Sequence, residues 1–181
     1  MKKIIYIFLP SLVIIFISCA QIKDIYNDCA SKDKELDYEI TNITLSNNST
    51  KIPLNLYLGV TSDEHKKGLM CLRDLKKING MLFSYKKEQT SGFWMYKTFI
   101  PLTIIYFDSN NYSVDYFDMK PCKRNLFQSK NNYRQKCFKE SKNYIPKAKY
   151  INSIEIKDSF EKLEEIKTIL KDDKVKLMIN N

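Results

Sequence analysis

The segment 52–60 constrains the fold more than any other part of the chain, because its apolar residues recur with the period of a β-strand. Five apolar residues occupy every second position: Ile52, Leu54, Leu56, Leu58 and Val60. Successive side chains of a strand point to opposite faces of a sheet, so this alternation predicts a strand with one buried face. Such a strand needs partner strands, and the remaining sequence offers several.

Further strands are expected on both sides of this segment. Short apolar runs bounded by turn residues predict them over 38–45, 81–85, 92–95, 102–108, 112–117, 149–156 and 175–179. Ser109, Asn110 and Asn111 separate two of these strands and favour a tight hairpin. The long excursion 119–147 shows no such pattern, and we expect it to be irregular.

Two helices are expected in addition to the strands. Thr61 and Glu64 have the spacing of a capping box, in which each side chain accepts a hydrogen bond from a backbone amide at the start of a helix. Apolar residues at helical spacing predict a second, amphipathic helix over 159–171. The predicted fold class is therefore α+β: a mostly antiparallel β-sheet or partly closed barrel with two helices, in a single domain.

The N-terminus has the pattern of a bacterial export signal. Lys2 and Lys3 precede an apolar run over 4–18 that is too short to cross a bilayer but suits a secretory signal. The run ends at Ser18-Cys19, which resembles a lipobox. We expect a signal peptide over 1–18, a lipidated Cys19 with a tether over 19–36, and the domain over 37–181. A soluble secreted protein, or an uncleaved anchor with an inert Cys19, are the alternatives.

The positive charge of the chain is concentrated in the excursion 119–147. The whole chain has a net charge of +9, and loss of residues 1–18 would lower it to +7. Between 119 and 147 there is one acidic residue, Glu140, and nine basic ones: Lys120, Lys123, Arg124, Lys130, Arg134, Lys136, Lys139, Lys142 and Lys147. The rest of the exported chain is therefore close to neutral, and the basicity is a local property.

Aromatic residues lie among these cations, and the combination suggests an anionic partner. Phe127, Tyr133, Phe138 and Tyr144 are the aromatic residues of the basic segment. Cations with stacking rings suit nucleic acid, but an exported location argues against that partner. An anionic lipid headgroup, an acidic glycan or an acidic protein fits better, with Lys123, Arg124 and Arg134 as candidate ligand-binding residues. A solvated lysine-rich loop is the plain alternative.

The order of several short motifs resembles one known family. Gly68-Leu69-Met70 is followed by Gly80-Met81-Leu82-Phe83, by Phe93-Trp94-Met95 with Thr98, and by Ile100-Pro101-Leu102. Together they resemble the domain of unknown function 192 (DUF192) family over about residues 52–157. Pro121-Cys122, Cys137 and Ile154-Glu155 resemble later positions of some members. The resemblance implies the fold and location of that family, and names no reaction.

The resemblance also implies a disulfide bond between Cys122 and Cys137. In an oxidising compartment it would close a loop of about 15 residues and stabilise the domain by roughly 3 kcal/mol. Four cysteines remain after Cys19, which allows three complete pairings. We expect Cys71 to be a buried small apolar residue, and the sequence assigns no role to Cys29.

Four polar positions of the family pattern are changed in this chain. Arg, Arg, Asn and Asp are usual in the family where this chain has His65, Leu72, Lys97 and Thr103. A polar site that those groups form in relatives is expected to be altered or lost here.

The sequence holds few groups that could carry catalysis or bind a metal. His65 is the only histidine and is expected to be a solvated surface residue. There is no Cys-x-x-Cys pair, no histidine-rich metal motif and no glycine-rich nucleotide motif, so no metal and no cofactor are expected. Asp108, Asp115 and Asp118 follow or end strands, where carboxylates usually cap turns and sometimes bind a cation.

We interpret the chain as a lipid-anchored envelope protein, on the periplasmic face or the cell surface, that acts as a binding or structural module. Trp94, Thr98 and Asp108 are further candidate ligand-binding residues, with core packing as the alternative for Trp94. An envelope enzyme acting on glycans is the competing hypothesis, with Asp108 or Glu155 as the acid. It requires a carboxylate with a strongly perturbed pKa inside a cleft.

Overall fold

A curved sheet of seven strands organises the domain. The computed structural model describes Cys29 and residues 37–180. The strands are β1 (Ile40–Ser46), β2 (Lys51–Gly59), β3 (Gly80–Gln89), β4 (Leu102–Phe107), β5 (Ser113–Met119), β6 (Tyr150–Lys157) and β7 (Lys176–Asn180). Within this part of the chain the helices are α1 (Ser62–Lys67), α2 (Lys130–Glu140) and α3 (Leu163–Asp172), and a 3₁₀ turn covers Ser141–Tyr144.

The strand order is β5-β4-β6-β3-β2-β1-β7, and every pair is antiparallel except β2 with β3. The parallel pair needs a crossover connection, which carries α1. The two edges of the sheet meet at one point, where Tyr112 forms an isolated bridge with Lys176. β5 and β7 do not pair along their lengths, so the sheet is open rather than a partly closed barrel. The predicted α+β class is confirmed.

The core lies on the face of the sheet that α3 covers. Leu163, Ile166 and Ile169 form the buried side of α3 and belong to the same apolar cluster as Leu82, Ile105 and Ile154 of the central strands. Full burial of each such aliphatic side chain contributes about 1.5–3 kcal/mol relative to leaving it in water. Lys167 on the same helix pairs with Asp118 of β5 at 2.9 Å, which fixes the helix over the sheet edge.

The capping box predicted from Thr61 and Glu64 is present at the start of α1. The Glu64 backbone amide donates to Thr61 Oγ1 at 3.3 Å, and the Glu64 carboxylate accepts from the Thr61 amide at 2.8 Å. Gly68 ends the helix with a φ of 47°, a conformation that favours glycine. This connection is therefore defined by local sequence.

Two predicted elements differ from the structure. The residues 92–95 are not a strand: Gly92 packs against the backbone of Ser141 and Tyr144, and the Tyr150 hydroxyl donates to the carbonyl oxygen of Ser91 just before the segment. The excursion 119–147 is not irregular, since it contains α2 and the 3₁₀ turn, so the described residues hold three α-helices instead of two. Only Tyr133 and Cys137 of α2 are buried, which leaves its sequence without a visible apolar period.

The chain divides into two compact units. One comprises residues 37–123 and 134–180 and holds the sheet; of the other, the structure describes Cys29 and residues 124–133. The predicted signal peptide, Cys19 and most of the tether lie outside the described residues. No helix within Cys29 and residues 37–180 combines the length and the apolar character that crossing a bilayer requires.

Candidate functional site

Trp94 lies in a small cluster of aromatic rings and cations. Its indole stacks on the Tyr96 ring with 5.1 Å between centroids. The guanidinium carbon of Arg134 lies 5.8 Å from the Trp94 ring, and Lys97 Nζ lies 5.4 Å from the Tyr96 ring. Both distances are typical of cation–π attraction, which contributes about 0.5–1 kcal/mol at exposed sites. We call Trp94, Tyr96, Lys97 and Arg134 the aromatic–cation cluster.

A disulfide bond at Cys137, in the C-terminal half of α2, fixes the helix that carries Arg134. Cys122 and Cys137 are joined, with their Cα atoms 5.7 Å apart, and Cys137 is fully buried. Lys136 Nζ also donates to the Lys123 carbonyl oxygen at 2.9 Å. The disulfide bond implied by the family resemblance is thus present. It links α2 to the residues that directly follow β5.

Lys123 and Arg124 have different surroundings. Lys123 is exposed, and its carbonyl oxygen takes the Lys136 hydrogen bond described above. Arg124 Nε donates to the Gln128 carbonyl oxygen at 2.8 Å, so part of the guanidinium closes the turn 125–128. Lys123 is thus exposed to solvent, whereas the Arg124 guanidinium is partly engaged by its own turn.

Thr98 and Asp108 have structural surroundings. Thr98 is buried, and its amide donates to the Met95 carbonyl oxygen at 3.3 Å. Asp108 Oδ1 accepts from the amides of Asn110 and Tyr112, each at 2.9 Å, and so caps the β4–β5 hairpin. Of the six candidate ligand-binding residues, the structure brings Trp94 and Arg134 together in a cation–π contact.

The strand-end carboxylates do not assemble into a cation site. Asp118 Oδ1 accepts from the Thr103 hydroxyl at 2.7 Å and pairs with Lys167. Burial opposes ionisation of Asp118, but these two partners outweigh it and lower the pKa of the carboxyl. Asp115 accepts from the Lys147 amide at 3.0 Å. Among residues 37–180 and Cys29, no three metal-ligating side chains come together.

A second face of the sheet holds a cluster of aromatic rings. The Tyr106 hydroxyl donates to the Tyr144 carbonyl oxygen at 2.6 Å, and the Tyr150 hydroxyl donates to the Ser91 carbonyl oxygen at 2.8 Å. Phe93 packs edge-on against Phe83 with 4.8 Å between centroids. These contacts anchor the Phe93-Trp94-Met95 segment to the sheet and so position Trp94.

Glu155 is the one strongly perturbed carboxyl among the described residues. It lies on β6 between Met81 and Ile104 of the neighbouring strands and is only 4% exposed. Burial raises the pKa of Glu155 to about 8. The carboxyl is therefore mostly protonated at neutral pH, which is the less costly state in an apolar environment.

Glu155 satisfies one of the two requirements of the enzyme hypothesis, a strongly perturbed pKa but not a position in a cleft. The perturbed pKa is present, but the Glu155 side chain is only 4% exposed and does not line an open cleft. An open groove of about 580 Å³ lies elsewhere, lined by β5, by residues 147–148 and by the end of α3. Lys147, Lys171 and Lys174 face it together with three carboxylates, Asp115, Asp172 and Asp173. Sequence reasoning missed this groove because its walls come from three distant segments.

His65 and Cys71 differ from their sequence predictions. His65 is half-buried: its Nε2 lies 3.0 Å from the Gly59 carbonyl oxygen and 3.1 Å from that of Ser84, and its ring packs 4.3 Å from the Tyr85 ring. It therefore links two strands instead of facing solvent. Cys71 is half-buried and disulfide-bonded, as Cys29 is, and is not a buried free thiol.

These features define an α+β domain with an open, mostly antiparallel sheet and a disulfide-held basic helix. The sequence pattern of DUF192, described as "Uncharacterized ACR", matches residues 43–144, more than half of the 181-residue chain. The chain belongs to this family. No curated protein matches the sequence.

Two solved structures share the fold. One is a protein of unknown function from Novosphingobium aromaticivorans DSM 12444, with a TM-score of 0.58 and 20% identity over 80% of this chain and 88% of that one. The other, from Sinorhizobium meliloti 1021, is named as a candidate transcription regulator; its TM-score is 0.59, with 18% identity over 80% of this chain and 97% of that one. At these identities the likeness shows the fold alone.

Proposed function

We propose that this protein is a lipid-anchored envelope protein whose domain binds an anionic component through the basic segment 119–147. The aromatic–cation cluster is the observation that supports this most directly. It combines a half-buried indole with a guanidinium on a helix whose base is fixed by a disulfide bond. Preorganised cations lose less conformational entropy when they bind than flexible ones do.

An enzyme is the less supported candidate. Its acid would be Glu155, which is only 4% exposed and does not line the groove at β5. Asp108, the other candidate acid, is engaged by two amides of its own turn. The two carboxylates thus have roles in the fold, and a binding module fits the described residues better.

The binding proposal is tested by salt elution of the full chain from an immobilised sulfated polysaccharide. Replacing four cations of the segment by Gln (Lys120, Lys123, Arg134 and Lys139) should lower the salt concentration that releases the protein, because fewer charges then contact the polyanion. A control variant carries the same four-charge reduction at exposed lysines elsewhere: Lys51, Lys77, Lys86 and Lys87.

The matched control decides between a local site and overall charge. We expect it to elute close to the unsubstituted protein. If both variants elute equally early, the net charge governs retention and the segment is not a binding site.

The anchor proposal is tested by fractionation of cells. Cys19→Ala removes the thiol that would accept diacylglycerol. The variant should therefore carry no acyl chains and should no longer partition into the detergent phase. Metabolic labelling with a fatty acid analogue gives the direct measurement. Equal labelling of the Cys19→Ala and unsubstituted proteins would contradict lipidation at Cys19.

A further inference from the structure

We propose that the anionic component is a phospholipid membrane surface, and that exposed apolar side chains of segment 119–147 insert into it. This inference rests on the proposed function and names its partner. Cations alone would suit any polyanion. The apolar side chains distinguish a bilayer interface from a soluble acidic polymer, since only the bilayer offers anionic headgroups above an apolar layer.

The most exposed large apolar side chains of the described chain all lie in this basic segment. Leu126 and Phe127 are each 71% exposed and Phe138 is 62% exposed. Ile145 in the same segment is exposed as well. A single exposed apolar residue is ordinary, but three within thirteen positions of a segment with a net charge of +8 are not expected of a merely solvated loop.

Leu126 stands at the tip of a turn that is closed by its own hydrogen bonds. The Gln128 amide donates to the Asn125 carbonyl oxygen at 3.1 Å, and the Asn125 amide donates to Gln128 Oε1 at 3.0 Å. Arg124 Nε adds its bond to the Gln128 carbonyl oxygen. The apolar tip is thus presented by a defined backbone, with a cation at its base.

Phe138 lies on the exposed side of α2. Tyr133 and Cys137 form the buried side of this helix. Arg134 precedes Phe138 by one turn and Lys139 follows it directly, and both are exposed. An exposed ring flanked by two cations has the chemistry of an interfacial contact, in which the ring enters the headgroup boundary while the cations stay with the phosphates.

The turn at Leu126 and the exposed side of α2 at Phe138 each support the proposal separately. Both are complementary to the same partner, because an anionic membrane attracts Lys and Arg and buries apolar side chains at its boundary. An acidic glycan would pair with the cations and leave Leu126 and Phe138 in water. The lipid surface is therefore the partner that accounts for both kinds of side chain.

The test measures the depth of reporter indoles in the full chain. Leu126→Trp and Phe138→Trp place a fluorophore at the two apolar positions, and Val60→Trp places one at an exposed apolar position outside the segment. Trp94 is kept as a common background. The vesicles contain phosphatidylglycerol or only phosphatidylcholine, each with a brominated acyl chain that quenches indoles nearby.

We expect quenching of the indoles at positions 126 and 138 in phosphatidylglycerol vesicles, loss of that quenching in phosphatidylcholine vesicles, and none at position 60 in either. Unchanged thermal unfolding of the three variants checks that they fold. Absence of quenching at 126 and 138, or equal quenching at position 60, overturns the inference. If the segment still governs elution from the polysaccharide in that case, the binding function stands with a soluble polyanion as partner; if it does not, both proposals fail.

Discussion

Glu155 places an ionisable group on a buried face of the sheet, and this makes stability depend on pH. Its pKa rises from 4.5 to about 8 on burial. Between these two values the folded state binds more protons than the unfolded state, so the free energy of unfolding falls as the pH rises. A difference of one between two pKa values corresponds to about 1.4 kcal/mol, so the total fall amounts to several kcal/mol.

Glu155→Gln should remove this dependence. The amide does not titrate, so the urea midpoint of the variant should change little between pH 4.5 and pH 8, the interval set by the two pKa values. The unsubstituted protein should lose stability across the same interval. Glu165→Gln on the exposed side of α3 is the control and should behave like the unsubstituted protein. Parallel curves for all three proteins would disprove the assignment.

Gly80 is required where two backbones approach closely. A Cβ atom at Gly80 would collide with the carbonyl oxygen of Glu155, which cannot move without displacing β6. At Gly59 the nearest atom is Met81 Cε at 2.7 Å, the end of a flexible side chain. Gly80→Ala should therefore destabilise the domain by more than about 2 kcal/mol, and Gly59→Ala by clearly less. Chemical denaturation of both variants checks the order, and similar losses would contradict it.

At the element scale, the structure shows which local signals were sufficient. The alternation over 52–60 predicted β2, and Thr61 with Glu64 predicted α1, because each signal lies within a few residues of the element it defines. Helix α2 could not be predicted in this way. Its position depends on the disulfide bond and on burial of only Tyr133 and Cys137, while most of its other residues are exposed polar ones.

The disulfide bond should contribute most of its stabilisation through the loop it closes. The two cysteines are 15 residues apart, and a loop of that length corresponds to about 3 kcal/mol in the chain-entropy model. The double variant Cys122→Ser with Cys137→Ser should lose about this amount in denaturant unfolding. Mass mapping of unreduced peptides provides the independent check: two free thiols at these positions would show that the bond does not form.

At the scale of the whole molecule, much of the fold followed from strand patterns, whereas the strand order and the candidate site did not. Alternation of apolar and polar residues indicates that a strand is half-buried but does not tell which strands lie beside it. The position of β6 between β3 and β4 was therefore not predictable. For the same reason the burial of Glu155, which depends on both neighbours, was missed. The contact between Trp94 and Arg134 joins residues 40 positions apart and had no local signal.

The last strand should be essential to the domain. Val175 and Leu177 are buried in the core cluster, and β7 pairs with β1 at one edge. A chain ending at Asp173 loses both side chains and should melt at a much lower temperature, because each buried aliphatic residue contributes about 1.5–3 kcal/mol. A chain ending at Met178 keeps both and should melt close to the complete protein. Equal melting of the two truncated chains would contradict this role for β7.

The central place of β6 also governs the order in which a growing chain can fold. β6 joins the β4–β5 hairpin to the β1–β2–β3 group, yet it is made after both. Until residues 150–157 are in place, the first five strands belong to two groups that share no ladder of hydrogen bonds. A chain that lacks this strand therefore cannot join the two groups into one sheet.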